Sequence, residues 1–349
     1  MRSLTPERLN ALRFSAKDVA NLAALAEARG RQQLYMHQKP EILESLRQVA
    51  AVESSESSNR LEGITIPRAR IEALVLRPTE PRDRSEQEVA GYRDALALIH
   101  ELHAHMPLSV NVVLQLHSLV YRYHAGAGGR FKPTDNQIVE RASDGRVQRV
   151  RFQPTPAFET PGAMDALVRQ YGDAVERQAL APLIAVPLVV LDFLCIHPFT
   201  DGNGRVGRLL TLLLLYHHDF AVGRYISLER IVEESKESYY ETLLASSQGW
   251  HDGAHDVHPW LNYFWGVLLR ACREFEERVA LADGRMNKSE LVRSTILRRV
   301  GGFTSGDIGR ECAGVSHELV RMVLRQLRDE GLLVVEGRGR GAAWRRVLR

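Results

Sequence analysis

The sequence predicts a mainly α-helical protein with one β-hairpin and a small C-terminal domain. In long segments such as PLIAVPLVVLDFLCI and PWLNYFWGVLLRACREFEERV, apolar residues recur at the three- and four-residue spacing of a helix. The segment QIVERASDGRVQRVRF, residues 137–152, instead has two β-prone arms around Asp144 and Gly145, a common turn pair in hairpins. With 349 residues, of which 44% are apolar, the chain is long enough for two or three domains.

Positive charge is concentrated in the C-terminal part of the chain. The net charge is +3, but residues from 285 onward contain 14 Lys and Arg against 7 Asp and Glu, so this part carries 14 − 7 = +7 and the rest −4. Such a local excess predicts an anionic partner, with a solvated arginine-rich surface as the alternative.

The same C-terminal part has the pattern of a DNA-binding domain. After a linker near residues 283–288, the order helix, short helix, turn, helix and hairpin predicts a winged helix-turn-helix at residues 285–349. Ser316 would cap the recognition helix, and EGRGRGAAW would form the wing. A domain of this kind binds duplex DNA or serves as a dimerisation module, so duplex DNA and a second copy of the chain are both expected partners.

Several classes of protein are disfavoured by the sequence. The N-terminus has no apolar signal core, and the longest apolar runs, near residues 186–196 and 209–216, are too short to span a membrane. Cys195, Cys272 and Cys312 lie far apart and form no C-x-x-C pair, so neither a disulfide framework nor a zinc site is indicated. We therefore expect a cytoplasmic protein without a membrane partner.

The segment HPFTDGNGRVGR, residues 197–208, is a polar loop between two apolar helical runs. Its glycines allow successive backbone N–H groups to face one point at a helix start, as in phosphate-binding sites. Arg205 and Arg208 lie on one face of the first turn and could bind further phosphate oxygens. Asp201 suggests a divalent cation that bridges phosphate and protein, and His197 is the group able to take a proton near neutral pH. Taken alone, however, a histidine at a helix end is commonly a cap or a packed residue, and Asp-Gly and Asn-Gly are ordinary turn pairs.

These twelve residues resemble the signature of the Fic (AMP-transferase) family, H-x-F-x-[D/E]-G-N-G-R-x-x-R, at every specified position. The resemblance implies a Fic-type helical core, with His197 as the general base and Asp201 as the ligand of Mg²⁺. The other signature residues would hold ATP: Gly202, Asn203 and Gly204 as an anion hole, and Arg205 and Arg208 at the β- and γ-phosphates. The implied reaction is attack of a protein Ser, Thr or Tyr hydroxyl on the α-phosphate, which leaves AMP on the target and releases pyrophosphate.

Two further segments resemble parts of the same family. The hairpin 137–152 lies where the family has its flap, which implies that an unidentified target protein docks there by adding a strand. An isolated hairpin is marginal in water, so it needs such a partner or packing against the body. The stretch ESKESYYETL resembles the helix beside the adenine and places Tyr239 or Tyr240 against the base, with an aromatic pair in the helical core as the alternative.

An upstream segment, SSESSNRLEGITI, resembles the inhibitory motif of the family, [S/T]-x-x-x-E-[G/N], at Ser58, Glu62 and Gly63. In an isolated helix these would be a serine, a last-turn glutamate and a glycine that ends the helix. A carboxylate is a bidentate mimic of a phosphate edge, so Glu62 paired with Arg208 would occupy the arginine that should hold the γ-phosphate.

The resulting prediction has three parts in the chain: an N-terminal helical region at 1–108 with the inhibitory helix, a Fic catalytic core at 109–279, and the winged helix at 285–349. The predicted activity is self-inhibited, magnesium-dependent protein adenylylation. The alternatives are removal of AMP, with Glu62 positioning a water, transfer of another phosphate-linked group, and a DNA-binding regulator whose core senses nucleotide.

Overall fold

The computed structural model describes residues 3–347 apart from residues 36–39, 78, 125–127, 142–145, 178, 283–286, 300–301, 313 and 338–341. The chain divides into two compact units, Met1–Arg273 and Glu274–Arg349.

The first unit is built mainly of helices. In chain order they are α1 Pro6–Ala11, α2 Ala16–Tyr35, α3 Pro40–Leu61, α4 Arg68–Leu76, α5 Arg84–Leu102, α6 Val110–Val120, α7 Thr160–Gly172, α8 Pro182–Ile196, α9 Asn203–His217, α10 Leu228–Glu234, α11 Lys236–Ser247 and α12 His258–Ala282. The last residues of α12 belong to the second unit. In the part of the chain that the structure describes, no helix combines the length and apolarity needed to cross a membrane.

One antiparallel hairpin interrupts these helices. Strand β1, Ile138–Arg141, pairs with β2, Val147–Phe152, and the register is irregular at two points. The predicted turn residues Asp144 and Gly145 lie outside the described residues. A mainly helical unit with one hairpin confirms the predicted fold class.

Helix α8 lies at the centre of the first unit and leads directly to the signature loop. Nearly all of its side chains are buried. Pro187 inside the helix has no N–H, which leaves the Leu183 carbonyl without its helical partner. The indole N–H of Trp265, on α12, donates to that carbonyl at 2.7 Å, and the indole of Trp260 donates to Pro187 O at 2.8 Å. These bonds join α8 to α12 and fix the helix that ends immediately before His197.

The N-terminal segment is also part of this core. Ser3 is buried, and its backbone N–H and hydroxyl both donate to the carboxylate of Asp192 on α8, the backbone bond at 3.1 Å and the hydroxyl bond at 2.5 Å. The indole of Trp250 donates to the same carboxylate at 2.6 Å. A fully buried carboxylate thus receives the donors that it needs.

The second unit contains the end of α12 and a smaller core. Its elements are α13 Lys288–Arg298, α14 Ser305–Glu311, α15 His317–Asp329, β3 Leu333–Glu336 and β4 Ala343–Arg346. Strands β3 and β4 are antiparallel, and Phe303, between α13 and α14, forms an isolated bridge to Trp344 on β4. Ser316 caps α15 through a hydrogen bond from Leu319 N. The described elements follow the order expected from the sequence, residues 283–286 of the predicted linker and 338–341 of the predicted wing lie outside the described residues, and the assignment as a winged helix stays a prediction.

Candidate active site

The six residues between α8 and α9 place His197 at the start of a tight loop. His197 has φ +52°, a left-handed conformation that is uncommon for residues other than glycine and that concentrates at functional sites. Its Nδ1 lies 3.2 Å from Leu194 O. Because a carbonyl only accepts, Nδ1 carries the proton and Nε2 keeps a free lone pair. Burial is the main cause that lowers the pKa of His197 to about 4, so the ring is a neutral base at physiological pH.

Asn203 closes the loop through its side chain. Its Oδ1 accepts from Phe199 N at 2.9 Å, and its Nδ2 donates to Phe199 O at 2.8 Å. Phe199 itself is completely buried and anchors the loop in the core. Since the Asn203 amide is engaged in this way, an anion at this point would be bound by backbone N–H groups of the first turn of α9.

The carboxylate of Glu62 lies at the N-terminal end of α9. A Cβ added to Gly204 would be 2.3 Å from Glu62 Oε1 and 3.2 Å from Arg208 Nη1, so only glycine permits this approach. Arg208 Nη2 donates to Glu62 Oε1 at 2.7 Å, and its Nε donates to Ser58 Oγ at 2.9 Å. The same Nη2 also donates to Ser58 O. A carboxylate thus rests where the helix end and the arginine would attract a phosphate.

The end of α3 gives Glu62 its position. Gly63 has φ +82°, its N–H donates to Arg60 O, and Ile64 N–H donates to Asn59 O. These two bonds form a Schellman motif, which satisfies the last carbonyls of the helix and turns the chain sharply. Gly63 therefore fixes the helix end that presents the glutamate.

Arg205 does not share this environment, although the sequence places it on the same turn. Its side chain is 1% exposed and donates to Glu88 Oε2 at 2.7 Å and to Tyr121 Oη at 2.8 Å. Tyr121 in turn packs against the loop, because a Cβ on Gly202 would lie 2.8 Å from its ring. These contacts favour a structural role, and a direct grip of Arg205 on phosphate stays a prediction.

Asp201 is the exposed carboxylate of the loop, with 64% of its side chain accessible. Its Oδ1 accepts from Gly202 N at 2.7 Å, and Oδ2 lies 3.7 Å from Arg205. Burial raises the pKa of Asp201, but hydrogen bonding from Tyr121 and the charge of Arg205 outweigh this and lower it. Among the residues the structure describes, no three His, Cys, Asp or Glu side chains gather to hold a metal ion by themselves. One ionised carboxylate beside a predicted phosphate site would nevertheless suit Mg²⁺, which is commonly bound by one or two carboxylates and substrate phosphates.

His117, on α6, supports the loop and is missed by the sequence reasoning. Its ring stacks on Phe199 with 3.7 Å between centroids, Nδ1 accepts from Gly129 N at 2.9 Å, and Nε2 lies 3.1 Å from Asp201 O. An acceptor at Nδ1 leaves the proton on Nε2, which therefore donates to Asp201 O. The signal in the sequence is a single histidine on an apolar helix, which does not distinguish this role from ordinary packing.

The two predicted adenine contacts lie in different surroundings. Tyr239 is 5% exposed and packs among Trp260 and Tyr263, as an aromatic core residue does. Tyr240 is 38% exposed, and its hydroxyl donates to Leu61 O at 3.3 Å, one residue before Glu62. Of the two, Tyr240 has the accessible ring that a base could stack on.

The hairpin is attached to the body at its second strand. Phe152 stacks on His251 with 5.5 Å between centroids, and His251 Nε2 donates to Gln153 O at 2.7 Å. Glu140 on β1 is paired with Arg149 and Arg151 on β2. Packing of this kind stabilises a hairpin that would be marginal alone.

Known proteins resemble parts of this chain in sequence. The sequence profile of the Fic/DOC family matches residues 107–215. A Fido domain-containing protein from Dictyostelium discoideum is 28% identical over 111 residues, which are 32% of this chain and 71% of that protein. The protein adenylyltransferase Fic of Nematostella vectensis is 23% identical over 217 residues, and the match covers 59% of this chain and 44% of that protein. The protein adenylyltransferase fic-1 of Caenorhabditis briggsae is 27% identical over 110 residues, or 30% of this chain and 19% of that protein.

Solved structures share the fold. A Fic family protein from Desulfovibrio desulfuricans superposes with a TM-score of 0.62 at 21% identity and covers 97% of this chain and 98% of its own. Fic-1 from C. elegans gives a TM-score of 0.60 at 18% identity, over 78% of this chain and 74% of its own. Residues 107–215 of the chain therefore match the Fic/DOC family, and the chain shares its fold with these solved Fic proteins.

Proposed function

We propose that the protein is a self-inhibited protein adenylyltransferase. The observation that carries this proposal is the pairing of two features at the start of α9: a histidine with a free Nε2, and a glutamate carboxylate seated over Gly204 against Arg208. The two relatives named adenylyltransferases support the reaction type. Within the chain we propose 1–108 as the regulatory helical region, 109–279 as the catalytic core and 285–349 as a winged helix.

The proposed chemistry is transfer of AMP from ATP to a Ser, Thr or Tyr hydroxyl. The hydroxyl oxygen forms a bond to the α-phosphorus, the bond from that phosphorus to the bridging oxygen breaks, and pyrophosphate leaves. The hydroxyl proton moves to Nε2 of His197, which burial keeps unprotonated. Of the three residues of the predicted anion hole, Asn203 and Gly204 contribute backbone N–H groups that stabilise the negative charge developing on the phosphate oxygens, whereas the Gly202 N–H donates to Asp201.

Asp201 is the residue that would hold Mg²⁺. Bound there, the ion would neutralise phosphate charge and help to orient the leaving group. The chain contributes the ionised carboxylate and keeps it in place through the Gly202 N–H and the His117 bond to its backbone carbonyl.

Glu62 is the inhibitory residue. While its carboxylate occupies Arg208, that arginine is not available to the γ-phosphate, and two anions at one helix end repel each other. ATP then binds without productive alignment of its α-phosphate. Ser58 completes the closed state because it accepts from Arg208 through both its hydroxyl and its carbonyl.

The target protein docks on the hairpin 137–152. An extended target segment would pair with a strand edge of the hairpin and bring its hydroxyl to His197. Backbone pairing selects for an extended conformation more than for particular side chains, so the target is a protein with an exposed, extended segment that carries a hydroxyl.

Mass spectrometry tests the proposal. Wild-type, Glu62→Gly and Glu62→Gly/His197→Ala proteins are incubated with Mg·ATP and a cell lysate. We expect AMP adducts with the Glu62→Gly protein and their loss in the double variant. Absence of adducts from the Glu62→Gly protein, while it still binds ATP, would refute AMP transfer and leave removal of AMP or transfer of another phosphate-linked group.

The second unit gives a second candidate function, binding of duplex DNA. Two observations favour it: Phe303 forms a single antiparallel bridge to Trp344 of the β3–β4 hairpin, and Arg321 and Arg325 are exposed one turn apart on α15. The helix that follows the turn is the one that enters the major groove in such domains. Binding of the full chain to duplex DNA should weaken steeply with salt, and Arg321→Ala should reduce it. A protein that binds no DNA at low salt would refute this function and favour the other expected partner, a second copy of the chain, which light scattering detects.

A further inference from the structure

Lys132 lies against the signature loop although it is far from that loop in the sequence. Its side chain is buried, with 3% exposure. Its Nζ donates to Ile196 O at 3.3 Å, and its backbone N–H donates to Pro198 O at 2.9 Å. These two carbonyls flank His197 in the chain. Lys132 therefore fastens the backbone on both sides of the histidine.

Asn136 extends this hydrogen-bond network to Phe199. Lys132 Nζ donates to Asn136 Oδ1 at 2.8 Å, and Asn136 Nδ2 donates to Phe199 O at 3.0 Å. Lysine is rarely buried unless it is paired, and here the hydrogen-bond acceptors of the ammonium are neutral oxygens. Burial lowers the pKa of Lys132 to about 8, although the negative charge of Asp135 acts to raise it. The ammonium group is therefore mostly charged at neutral pH.

We propose that Lys132 is a positioning residue for AMP transfer: it holds His197 in its left-handed conformation and places a positive charge beside the imidazole that favours the neutral ring. The inference rests on the proposed role of His197 as the base. Nothing in the signature itself assigns this task, because Lys132 lies in the segment that precedes the hairpin.

Three charged groups act on the His197 ring, and their signs differ. Burial is the main cause of the lowered pKa of His197, and the hydrogen bond to Leu194 O opposes it. Lys132 lowers the pKa further, whereas Glu62 and Asp201 raise it. Removal of the Lys132 charge should therefore raise the pKa of His197, and the acid limb of the pH profile should move to higher pH.

The test compares three variants in the Glu62→Gly chain. Lys132→Gln removes the charge, Lys132→Arg keeps it, and Asn136→Ala removes one acceptor but leaves the ammonium. For Lys132→Gln we expect kcat to fall by about 10–100-fold, since a misplacement of about 1 Å costs about 10²-fold, with KM for ATP nearly unchanged. The acid limb of Lys132→Gln should move to higher pH, whereas Lys132→Arg keeps the parent limb and Asn136→Ala lowers kcat without moving the limb.

A lysine with a merely structural role would not move the acid limb. If kcat and the acid limb of Lys132→Gln coincide with those of the parent, the proposal is overturned. Should Lys132→Gln not fold by circular dichroism, Asn136→Ala carries the test, and an unchanged kcat there overturns the proposal.

An NMR titration separates this inference from the proposed function. The His197 ring signal of the full chain is assigned by its loss in His197→Ala. In Lys132→Gln the signal should titrate at higher pH than in the parent, whether or not AMP is transferred. An identical titration would overturn the charge effect, whereas a missing transferase activity with a shifted titration would refute only the proposed function.

Discussion

Replacement of Glu62 measures how strongly this residue inhibits AMP transfer. The pair consists of one charge-assisted hydrogen bond, 2.7 Å from Arg208 Nη2 to Glu62 Oε1, with side chains that are 7% and 27% exposed. Hydrogen bonds to charged groups contribute about 1.5–3 kcal/mol, and the partial exposure of Glu62 favours the lower value. Since about 1.4 kcal/mol is a factor of ten, Glu62→Gly should raise the rate of AMP transfer about tenfold or more. Glu62→Gln should raise it less, because a neutral amide oxygen still accepts from Arg208.

The assay is the initial rate of AMP transfer to lysate proteins at saturating Mg·ATP. Glu44→Gln is the matched control, because Glu44 is an exposed carboxylate on the same helix whose partners, Arg47 and Gln48, lie within one turn of that helix. Its rate should equal that of the wild type. A Glu62→Gly protein that is folded, binds ATP and transfers AMP no faster than the wild type would refute the reasoning.

Three further predictions concern the base and its surroundings. In the Glu62→Gly chain, His197→Ala should lower kcat by about 10²–10⁴-fold. With His197 intact, kcat/KM should fall only as the pH approaches the His197 pKa of about 4, because protonation removes the base. Retention of full activity by His197→Ala, or an acid limb near pH 6.5, would contradict this assignment. Arg205→Met should lower the free energy of unfolding, measured in urea, by about 3 kcal/mol. This is the lower end of the range for a broken buried ion pair, because Arg84 still donates to Glu88. Unchanged stability with a raised KM for ATP would instead place Arg205 at the phosphates. His117→Phe keeps a ring stacked on Phe199 but leaves Gly129 N–H and Asp201 O without their hydrogen-bond partner. The free energy of unfolding should therefore fall by about 1–3 kcal/mol per unsatisfied group. A wild-type urea midpoint would count against the role of His117 in supporting the loop.

Local patterns in the sequence account for much of the fold and of the site. Helical periodicity predicts α8 and α9, glycine spacing predicts the tight loop between them, and the two β-prone arms predict the hairpin. The last-turn glutamate before Gly63 could also be predicted, because a helix end and a φ-positive glycine are local features.

Partners that arrive from distant helices could not be predicted in this way. The spacing of Arg205 and Arg208 gives them adjacent positions on one turn. It does not show that Arg205 pairs with Glu88 on α5 whereas Arg208 pairs with Glu62. In the same way, the sequence does not separate Tyr239 from Tyr240, since their burial is decided by packing against α12. Lys132 carries no local signal that links it to the loop.

The central claim is that this site moves AMP, and the position of the transferred phosphorus tests it most directly. The Glu62→Gly protein is incubated with heat-treated lysate, whose own kinases are inactive, and with Mg·ATP that carries radioactive phosphorus either at the α or at the γ position. We expect label on protein from the α position, none from the γ position, and none from either when His197 is also replaced by alanine. Label from the γ position, or label from the α position that persists without His197, would contradict the account.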